Sequence, residues 1–395
     1  MERIGFFCYN FLSMQEETLP LSFSILESME EIPQQEWDRL FDKTIIEGYG
    51  FHQTLEQSKL KEFTIKYLLG KRDNSPVLII PFFVMDFSFD MLIAGPLNGL
   101  VKKLKSIFTL KIIFLGAPTA EEFYMGIAQE ENLDSILDAA IEKIEEFSRK
   151  EKIAGFLFYN ISRKHTGLIE YLEKKRLIKM EGLPSTIIEI KANSLEEYIK
   201  GLSKNMRKDL RHKLKTASCR AKLTTERRQD INGISEEVYQ LYMNNFLDSD
   251  VHFEVLTKEF FERINTNMPD TVKYFITRDK EKIVAFNLCF VKDGLLIDKF
   301  IGFDRALAKE YHLYFTTFCH NLEWCIQNGV RFYQPGATDY HPKIRLGAKL
   351  IPLFIYTKAS NPLINFLIRV FARTIEPKNI DSSLKEITKL KKGII

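Results

Sequence analysis

Residues Tyr274–Val291 read YFITRDKEKIVAFNLCFV and residues Tyr67–Val84 read YLLGKRDNSPVLIIPFFV, and the two stretches align without a gap. Each has an apolar run rich in β-branched and aromatic residues, a charged turn and a second apolar run, a pattern that predicts a β-hairpin. The apolar runs are nearly continuous, as is typical of strands covered on both faces of their sheet. The chain therefore carries one hairpin pattern twice.

A helix and then a short aromatic strand follow each hairpin. In the first half these are Leu133–Arg149 and Gly155–Tyr159, and in the second half they are His312–Gln327 and Val330–Gln334. Apolar residues recur at helical spacing in the first of these helices, which predicts one buried face. The order helix, hairpin, further strand, helix, strand is thus repeated. We predict an α/β (α+β) protein with similar halves at 1–190 and 191–375 and a polar tail at 376–395.

Composition narrows the class of protein. The length of 395 residues is typical of two domains, and 45% apolar with 28% charged residues is ordinary for a globular chain. The 56 basic and 53 acidic residues balance too closely to predict nucleic-acid binding from bulk charge. Five scattered cysteines without a CxxC motif favour neither a disulfide framework nor a metal site. We expect a cytoplasmic protein with no transmembrane segment, no metal and no tightly bound cofactor.

Several common catalytic motifs are missing from the sequence. There is no GxSxG, HExxH, Walker loop or GxGxxG. Hydrolase, kinase and dehydrogenase functions therefore lack support from motifs.

A cationic segment, Ser203–Ala217 (SKNMRKDLRHKLKTA), joins the two halves. Ser203 is a suitable N-cap for a helix. Basic residues recur every three or four positions and share one helix face, whereas apolar residues form the opposite stripe. The cationic face is either simply solvated or an anchor for phosphate groups, since Arg offers paired donors to such groups. Its basic residues are Lys204, Arg207, Lys208, Arg211 and Lys215.

The loop Pro335–Ala348, PGATDYHPKIRLGA, is the strongest candidate for a site. It joins the predicted strand Val330–Gln334 to a strand-like run, Leu350–Tyr356, and combines small residues with a phenol, an imidazole and two cations. Loops held between two such elements often carry binding or catalytic residues. The alternative is an ordinary surface turn.

The order of these features resembles a known family. Leu202–Arg211 is similar to a basic Ser-x-x-x-Arg-x-x-x-Arg helix, Trp324–Gln334 to a helix, Gly and aromatic strand, and Pro335–Tyr356 to a closing loop with Lys and Leu-Gly-Ala. Together they resemble the FemAB-like branch of the GNAT acyltransferase superfamily, which includes peptidoglycan biosynthesis/recognition proteins. The resemblance implies two GNAT-like halves, with mixed sheets flanked by helices, over most of the chain.

That resemblance also implies a reaction. An acyl or aminoacyl group would pass from an activated donor to an amine or hydroxyl, with a cell-envelope precursor as one candidate acceptor. Acyl-CoA is one expected co-substrate. Gly302–Tyr311 lacks the glycine turn that cradles pyrophosphate in the GNAT pattern, so aminoacyl-tRNA stays open as the other donor. The substrate would be a small or carrier-linked molecule.

Each candidate residue has an expected role in this reaction. Lys343 would stabilise the carbonyl oxygen or grip a donor phosphate, and Tyr340 would protonate the leaving group. Asp339 or His341 would accept the amine proton. Structural alternatives are a turn-shaping His341, a capping Asp339, a surface Arg345 and a cross-strand pair at Asp298 and Lys299. The expected donor-binding and substrate-binding residues are Lys204, Arg207, Lys208, Arg211, Arg345, His252 and Asp298.

Two further alternatives stay open. The first is a non-catalytic double-GNAT module that binds a phosphorylated glycan, a lipid carrier or a protein. The second concerns Asn361–Arg373, NPLINFLIRVFAR, an amphipathic pattern that either packs on the second half or contacts a membrane surface.

Overall fold

A computed structural model describes residues 20–88, 109–248, 255–372, 377–381 and 383–384. The predicted His252 site and most of the polar tail lie outside these residues. The strands are β1 (Leu21–Leu26), β2 (Thr64–Arg72), β3 (Ser75–Ser88), β4 (Thr109–Leu115), β5 (Gly126–Ile127), β6 (Gly155–Ser162), β7 (Ile178–Glu181), β8 (Ser185–Glu189), β9 (Leu223–Arg228), β10 (Val272–Asp279), β11 (Lys282–Lys292), β12 (Leu295–Phe303), β13 (Phe332–Gln334), β14 (Lys349–Ile351) and β15 (Leu353–Ala359).

Helices precede and follow the hairpins in both halves. They are α1 (Gln34–Leu40), α2 (Tyr49–Gln57), α3 (Leu133–Lys150), α4 (Thr166–Lys174), α5 (Leu195–Gly201), α6 (Lys204–Arg220), α7 (Ser235–Asp248), α8 (Lys258–Asn267), α9 (Leu307–Glu310), α10 (Leu313–Gln327), α11 (Tyr340–Arg345), α12 (Pro362–Phe371) and α13 (Pro377–Ile380). A short 3-10 turn occupies Met29–Glu31.

The repeated order predicted from the sequence is confirmed. The first half runs α2, β2–β3, β4, α3, β6, and the second runs α8, β10–β11, β12, α10, β13. Both hairpins pair antiparallel, whereas β4 pairs with β6, and β12 with β13, in parallel. The chain thus builds the same mixed sheet unit twice, with helices against it.

Two strands cross the predicted boundary at residue 190. The first sheet has the order β1–β2–β3–β4–β6–β15–β7, with β5 paired to β3, so it contains a strand from near the end of the chain. The second has the order β14–β8–β13–β12–β11–β10–β9, so it contains a strand that precedes residue 190. The two sheets are therefore interlocked, and no single cut in the chain separates them.

Aromatic side chains fill the space between the two halves. Phe83 and Phe114 of the first sheet share one buried cluster with Phe260 and Phe286 of the second half. Rings meet edge to face or stacked, as between Phe83 and Phe114 at 5.0 Å. Burial of such rings is the main stabilising contribution of a core, and the high Phe content of the sequence is partly used here. The halves consequently pack as one body around this cluster.

Candidate functional site

The parallel strands β12 and β13 separate soon after they meet. They pair at only three positions, Leu295 with Phe332, Leu296 with Tyr333 and Ile297 with Gln334. One residue later β12 has a β-bulge, because Leu288 lies opposite Phe300 and Cys289 opposite Asp298, which leaves Lys299 unpaired. A bulge bends and twists its strand. The rest of β12 therefore turns away from β13, and a gap opens between them.

The gap is a narrow cleft with an enclosed volume of about 10 Å³ that opens to solvent. Asp298 lies at its base, where it is buried. Its carboxylate accepts hydrogen bonds from Asn287 Nδ2 at 2.9 Å, from Asn321 Nδ2 at 3.2 Å and from the Tyr333 hydroxyl at 2.8 Å. Burial raises the pKa of Asp298, and these hydrogen bonds oppose that rise. The lining residues are Asn287, Asp298, Ile301, Tyr314, Thr317, Phe318, Tyr333 and Pro335.

Polar atoms without partners border this cleft. The Tyr314 hydroxyl, from the first turn of α10, is buried and has no hydrogen-bond partner among the described residues. The side-chain oxygen of Asn287, another lining residue, also lacks a partner among the described residues, and so does that of Asn321, whose Nδ2 binds Asp298. Burial, with smaller effects from Asp339 and Asp298, raises the pKa of Tyr314, so its hydroxyl is a donor at neutral pH. A buried polar atom without a hydrogen bond destabilises the folded state, and such atoms usually bind a water or a ligand.

The backbone edge of β12 also faces the cleft. The N–H of Phe303 donates to Asn245 Oδ1 at 3.2 Å, and its carbonyl accepts from Asn244 Nδ2 at 3.3 Å, both from α7. Phe303 therefore directs its backbone groups away from β11. Alternate residues of a strand use the same edge, so the N–H and carbonyl of Ile301, a lining residue of the cleft, also point away from β11. Within the described residues, β13 pairs with β12 only before this point.

A buried ionic cluster braces the strands from behind. Lys299 Nζ contacts Glu47 Oε1 at 2.5 Å and Glu121 Oε1 at 2.9 Å, and it donates to the carbonyl of Thr119. Gln334 Nε2 donates to Glu121 Oε2 at 2.7 Å. Burial raises the pKa of Glu47 to about 7, although Lys299 opposes this. Residues of the first half thus hold both strands where they diverge.

Lys343, the predicted catalytic cation, is buried on α11. Its Nζ donates to the carbonyls of Gly336, Ala337 and Thr338 at 3.1, 2.8 and 2.7 Å. Burial lowers the pKa of Lys343 to about 8, so the amine is still mostly protonated at pH 7. Its three donors shape the loop after β13, and a direct role in catalysis stays a prediction.

The other loop candidates are dispersed around α11. The hydroxyl of Tyr340 donates to the Pro184 carbonyl at 2.8 Å in the core, and burial raises its pKa. Asp339 is exposed, and its backbone lies in the left-handed region with φ of 43°. Its N–H donates to Asp381 Oδ2 at 2.9 Å. His341 is half-buried. The roles predicted for these residues stay predictions.

The predicted cationic helix forms α6, capped by Ser203, whose Oγ accepts from the Met206 N–H at 3.3 Å. Lys204 and Lys208 are exposed. Arg207 donates to the Lys200 carbonyl at 2.6 Å, and Arg211 pairs with Glu196. Arg345 pairs with Asp209 of the same helix at 2.9 Å. Intramolecular partners thus occupy part of the predicted phosphate-binding set.

Several residues in and around the cleft were not predicted from the sequence. They are Tyr314, Asn287 and Asn321, of which Asn287 interrupts a strongly apolar run. A polar residue in such a run is a detectable sign, because a buried polar group needs a partner. Asp298 and Lys299 had been considered as a cross-strand pair. They instead serve separate clusters on the two faces of β12. Among the described residues, no three His, Cys, Asp or Glu side chains group to hold a metal.

The fold has two GNAT-like halves, as known structures confirm. A tandem GNAT protein from the clavulanic acid biosynthesis pathway superposes with a TM-score of 0.53 at 10% identity, over 87% of this chain and 99% of its own. FemX superposes with a TM-score of 0.52 at 12% identity, over 88% of this chain and 100% of its own. Among curated proteins, none matches this sequence.

The model of the FemAB-like family, described as peptidoglycan biosynthesis/recognition, matches residues 107–386. The chain belongs to this family. The resemblance recognised from Leu202–Arg211, Trp324–Gln334 and the closing loop is thereby confirmed. Family and fold together indicate an acyltransferase-type protein. In the described part of the chain, no helix combines the length and the apolar character needed to cross a bilayer.

Proposed function

We propose that this protein transfers an acyl or aminoacyl group from an activated donor to an amine or hydroxyl, and that the reacting carbonyl enters the cleft between β12 and β13. The main support is the separation of these strands after three residue pairs, beside a buried tyrosine hydroxyl that has no partner in the part of the chain that the structure describes. An extended chain can bind such an open strand edge through backbone hydrogen bonds. The cleft supplies both the edge and a polar end.

Charge develops on the carbonyl oxygen when the acceptor attacks. Fixed hydrogen-bond donors aimed at that oxygen stabilise the transition state more than the ground state, and so lower the barrier. The N–H of Ile301 and the hydroxyl of Tyr314 are the donors that this cleft offers. Asp298 already accepts hydrogen bonds from four side chains, the fourth being the Cys289 thiol at 3.6 Å, and anchors the base of the cleft. Positioning of donor and acceptor supplies the remainder of the acceleration.

The size of the cleft limits the group that enters it. Its enclosed part measures about 10 Å³, room for about one water-sized group, and the rest of the space opens to solvent. It therefore suits a carbonyl oxygen at the end of an acyl or aminoacyl group, with the rest of the donor outside. The exposed Lys204 and Lys208 of α6 are the proposed contacts for the donor's phosphates.

We also propose a cell-envelope precursor as acceptor and a cytoplasmic location. The family description, peptidoglycan biosynthesis/recognition, supports the first. Cys219, Cys289, Cys319 and Cys325 are free thiols, which suits a reducing compartment.

A non-catalytic carrier-binding module is the second candidate. One observation favours it: Lys343 and Tyr340, the residues predicted for catalysis, are bound to backbone carbonyls. Such a module would bind its ligand without turnover.

The test is a thermal-shift titration with acetyl-CoA, long-chain acyl-CoA and free CoA. A ligand that binds only the folded state raises the melting temperature. We expect one acyl-CoA to shift the wild type, and Tyr314→Phe to weaken that ligand about tenfold. The matched control is Tyr159→Phe, which removes a hydroxyl bound to the Ala117 carbonyl in the first half and should leave the affinity unchanged.

The remaining outcomes separate the alternatives. If none of the three compounds shifts the melting temperature, acyl-CoA is excluded, and aminoacyl-tRNA becomes the donor to test, with binding that weakens steeply with salt. A shift with free CoA equal to that with acyl-CoA, and unaffected by Tyr314→Phe, would place the ligand outside the cleft and contradict the proposal. Binding of a donor without product formation would favour the carrier-binding module.

A further inference from the structure

Helix α12 presents an apolar face to solvent. Leu363, Phe366, Leu367 and Val370 are 66%, 61%, 44% and 51% exposed. Their spacing of three, four and seven residues places all four on one side of the helix. Of the large apolar side chains exposed in the described part of the chain, only Leu247 and Phe332 lie elsewhere. Contiguous exposed apolar surface of this kind marks an interaction site.

The opposite side of α12 is fixed to the protein. Asn361 caps the helix, since its Oδ1 accepts from the Leu363 N–H at 2.8 Å. Asn365 Oδ1 accepts from the Ala359 N–H at 3.0 Å, and Arg369 donates to the Arg176 carbonyl at 3.0 Å. Ile364 and Ile368 are partly buried. These contacts set the rotation of the helix, so the apolar face is directed outward.

The sequence around this face is cationic. Residues 361–395 contain seven Lys or Arg and three Asp or Glu, a net charge of +4, whereas the whole chain has +3. The excess positive charge of the protein is thus concentrated in and after α12. An apolar helix face joined in sequence to a segment rich in cations is the combination that binds an anionic lipid surface.

A second copy of the chain fits this face less well. A ten-residue helix is ~15 Å long and ~10 Å wide, so one face offers much less than the roughly 800 Å² per partner of a stable interface. A bilayer needs no complementary pocket, and each apolar side chain can insert independently. The positive charge of the sequence in and after α12 and the small area of its apolar face therefore both favour an anionic bilayer over a second copy of the chain.

We propose that α12 lies in the headgroup region of an anionic phospholipid bilayer, with Leu363, Phe366, Leu367 and Val370 inserted and the basic residues that follow it in the sequence against lipid phosphates. This would hold the protein at a membrane surface through one side of a helix. The inference rests on α12 and its charge, and is independent of the proposed acyl transfer.

Co-sedimentation of the full chain with lipid vesicles tests the inference. We expect binding to vesicles of phosphatidylglycerol and phosphatidylcholine, weaker binding at high salt, and little binding to pure phosphatidylcholine. The triple variant Leu363→Ser, Phe366→Ser, Val370→Ser should lose about 100-fold in affinity for the anionic vesicles. The matched control Leu247→Ser changes a side chain that is 58% exposed on α7 and should change affinity less than about threefold.

A second variant, Lys389→Glu, Lys391→Glu, Lys392→Glu, isolates the charge and should also weaken binding to anionic vesicles. The melting temperature checks that each variant is folded. A wild type that does not bind anionic vesicles at low salt, or a triple variant that binds them equally well, would overturn the proposal. So would a wild-type dimer that the triple variant dissociates in light scattering, because the face would then belong to a second copy.

Discussion

Each half of the chain contains two parallel strands that separate after three residue pairs. The halves differ in what occupies the gap between these strands. In the first half, β4 and β6 pair at three positions, and β4 ends after the third, at Leu115. The following loop folds back into the gap, where the carbonyl of Ala117 accepts from the Tyr159 hydroxyl, and that of Ala120 from Asn160 Nδ2 at 3.0 Å. The first gap is therefore filled by the chain itself.

In the second half the corresponding strand, β12, continues for six residues beyond its last pair with β13. Its gap is bordered by the unpartnered hydroxyl of Tyr314. The loop that closes the first gap also carries Glu121, which braces Lys299 and Gln334 of the second. One copy of the unit therefore supports the other, because the loop that fills the first gap also holds the strands whose open gap forms the candidate site.

Removal of the lysine from the buried ionic cluster should have the largest effect on stability. Lys299→Met removes the cation and leaves Glu47 and Glu121 buried without their counter-charge. A buried ion pair that loses one partner typically costs about 3–5 kcal/mol, so we expect a loss of that size in the free energy of unfolding. Urea denaturation at pH 7.5 measures it.

The control for this variant is Lys164→Met, which removes a lysine with a 56% exposed side chain paired to Glu122. A surface pair contributes at most about 1 kcal/mol, so this change should be small. Equal losses in the two variants would show that the cluster does not brace the strands.

The same cluster predicts a pH dependence. Two carboxylates surround one ammonium, and burial raises the pKa of Glu47 above the value of 4.5 expected when unfolded, to about 7. A raised carboxyl pKa means that the folded state binds the proton more tightly. Its stabilisation is complete below pH 4.5 and is lost as the pH rises to about 7. Relative to Glu47→Gln, the wild type should lose about 2–3 kcal/mol of unfolding free energy across this window. Parallel curves for the two proteins, from urea denaturation at each pH, would contradict this prediction.

Much of the fold was predictable from local patterns. The repeated hairpins and the helices α3 and α10 follow from apolar periodicity, which depends on neighbouring residues. The exchange of β8 and β15 between the sheets was not predictable, because the residue pattern of a short strand does not show which sheet the strand joins. The predicted boundary at residue 190 consequently does not follow the sheets.

The candidate site was less predictable than the fold. Its loop was located, and Asp298 was named, but Tyr314 meets β12 only through tertiary packing. Lys343 has the residue type of a catalytic cation, yet its donors bind carbonyls five to seven residues earlier. Residue type alone does not distinguish a lysine that shapes a loop from one that contacts a substrate.

The two tyrosines of the gaps should respond in opposite ways. Tyr159→Phe loses a hydrogen bond to the Ala117 carbonyl and should cost about 1 kcal/mol of stability. Tyr314→Phe removes a buried hydroxyl that has no partner among the described residues, so stability should stay the same or rise by up to about 1 kcal/mol. Thermal unfolding without ligand measures both. A destabilised Tyr314→Phe would mean that its hydroxyl is satisfied within the protein, and the second gap would then resemble the first.

The smallest expected effects concern one threonine in the loop of each half. Thr119 and Thr338 both have φ of 62°, an unfavourable conformation for a β-branched residue, and their carbonyls bind the buried Lys299 and Lys343. Glycine relieves this strain but adds entropy to the unfolded chain, so each Thr→Gly change should stabilise by about 0.5–1 kcal/mol.

If both loops are only structural, the two variants should keep full donor binding. If the loop beside the open gap is strained for function, Thr338→Gly alone should weaken donor binding while it stabilises the fold, because that loop contributes Pro335 to the lining of the cleft and the loop of Thr119 contributes no described residue. Melting temperature and acyl-CoA affinity, measured on both variants, separate these cases; a loss of affinity in Thr119→Gly alone would reverse the assignment of the two gaps.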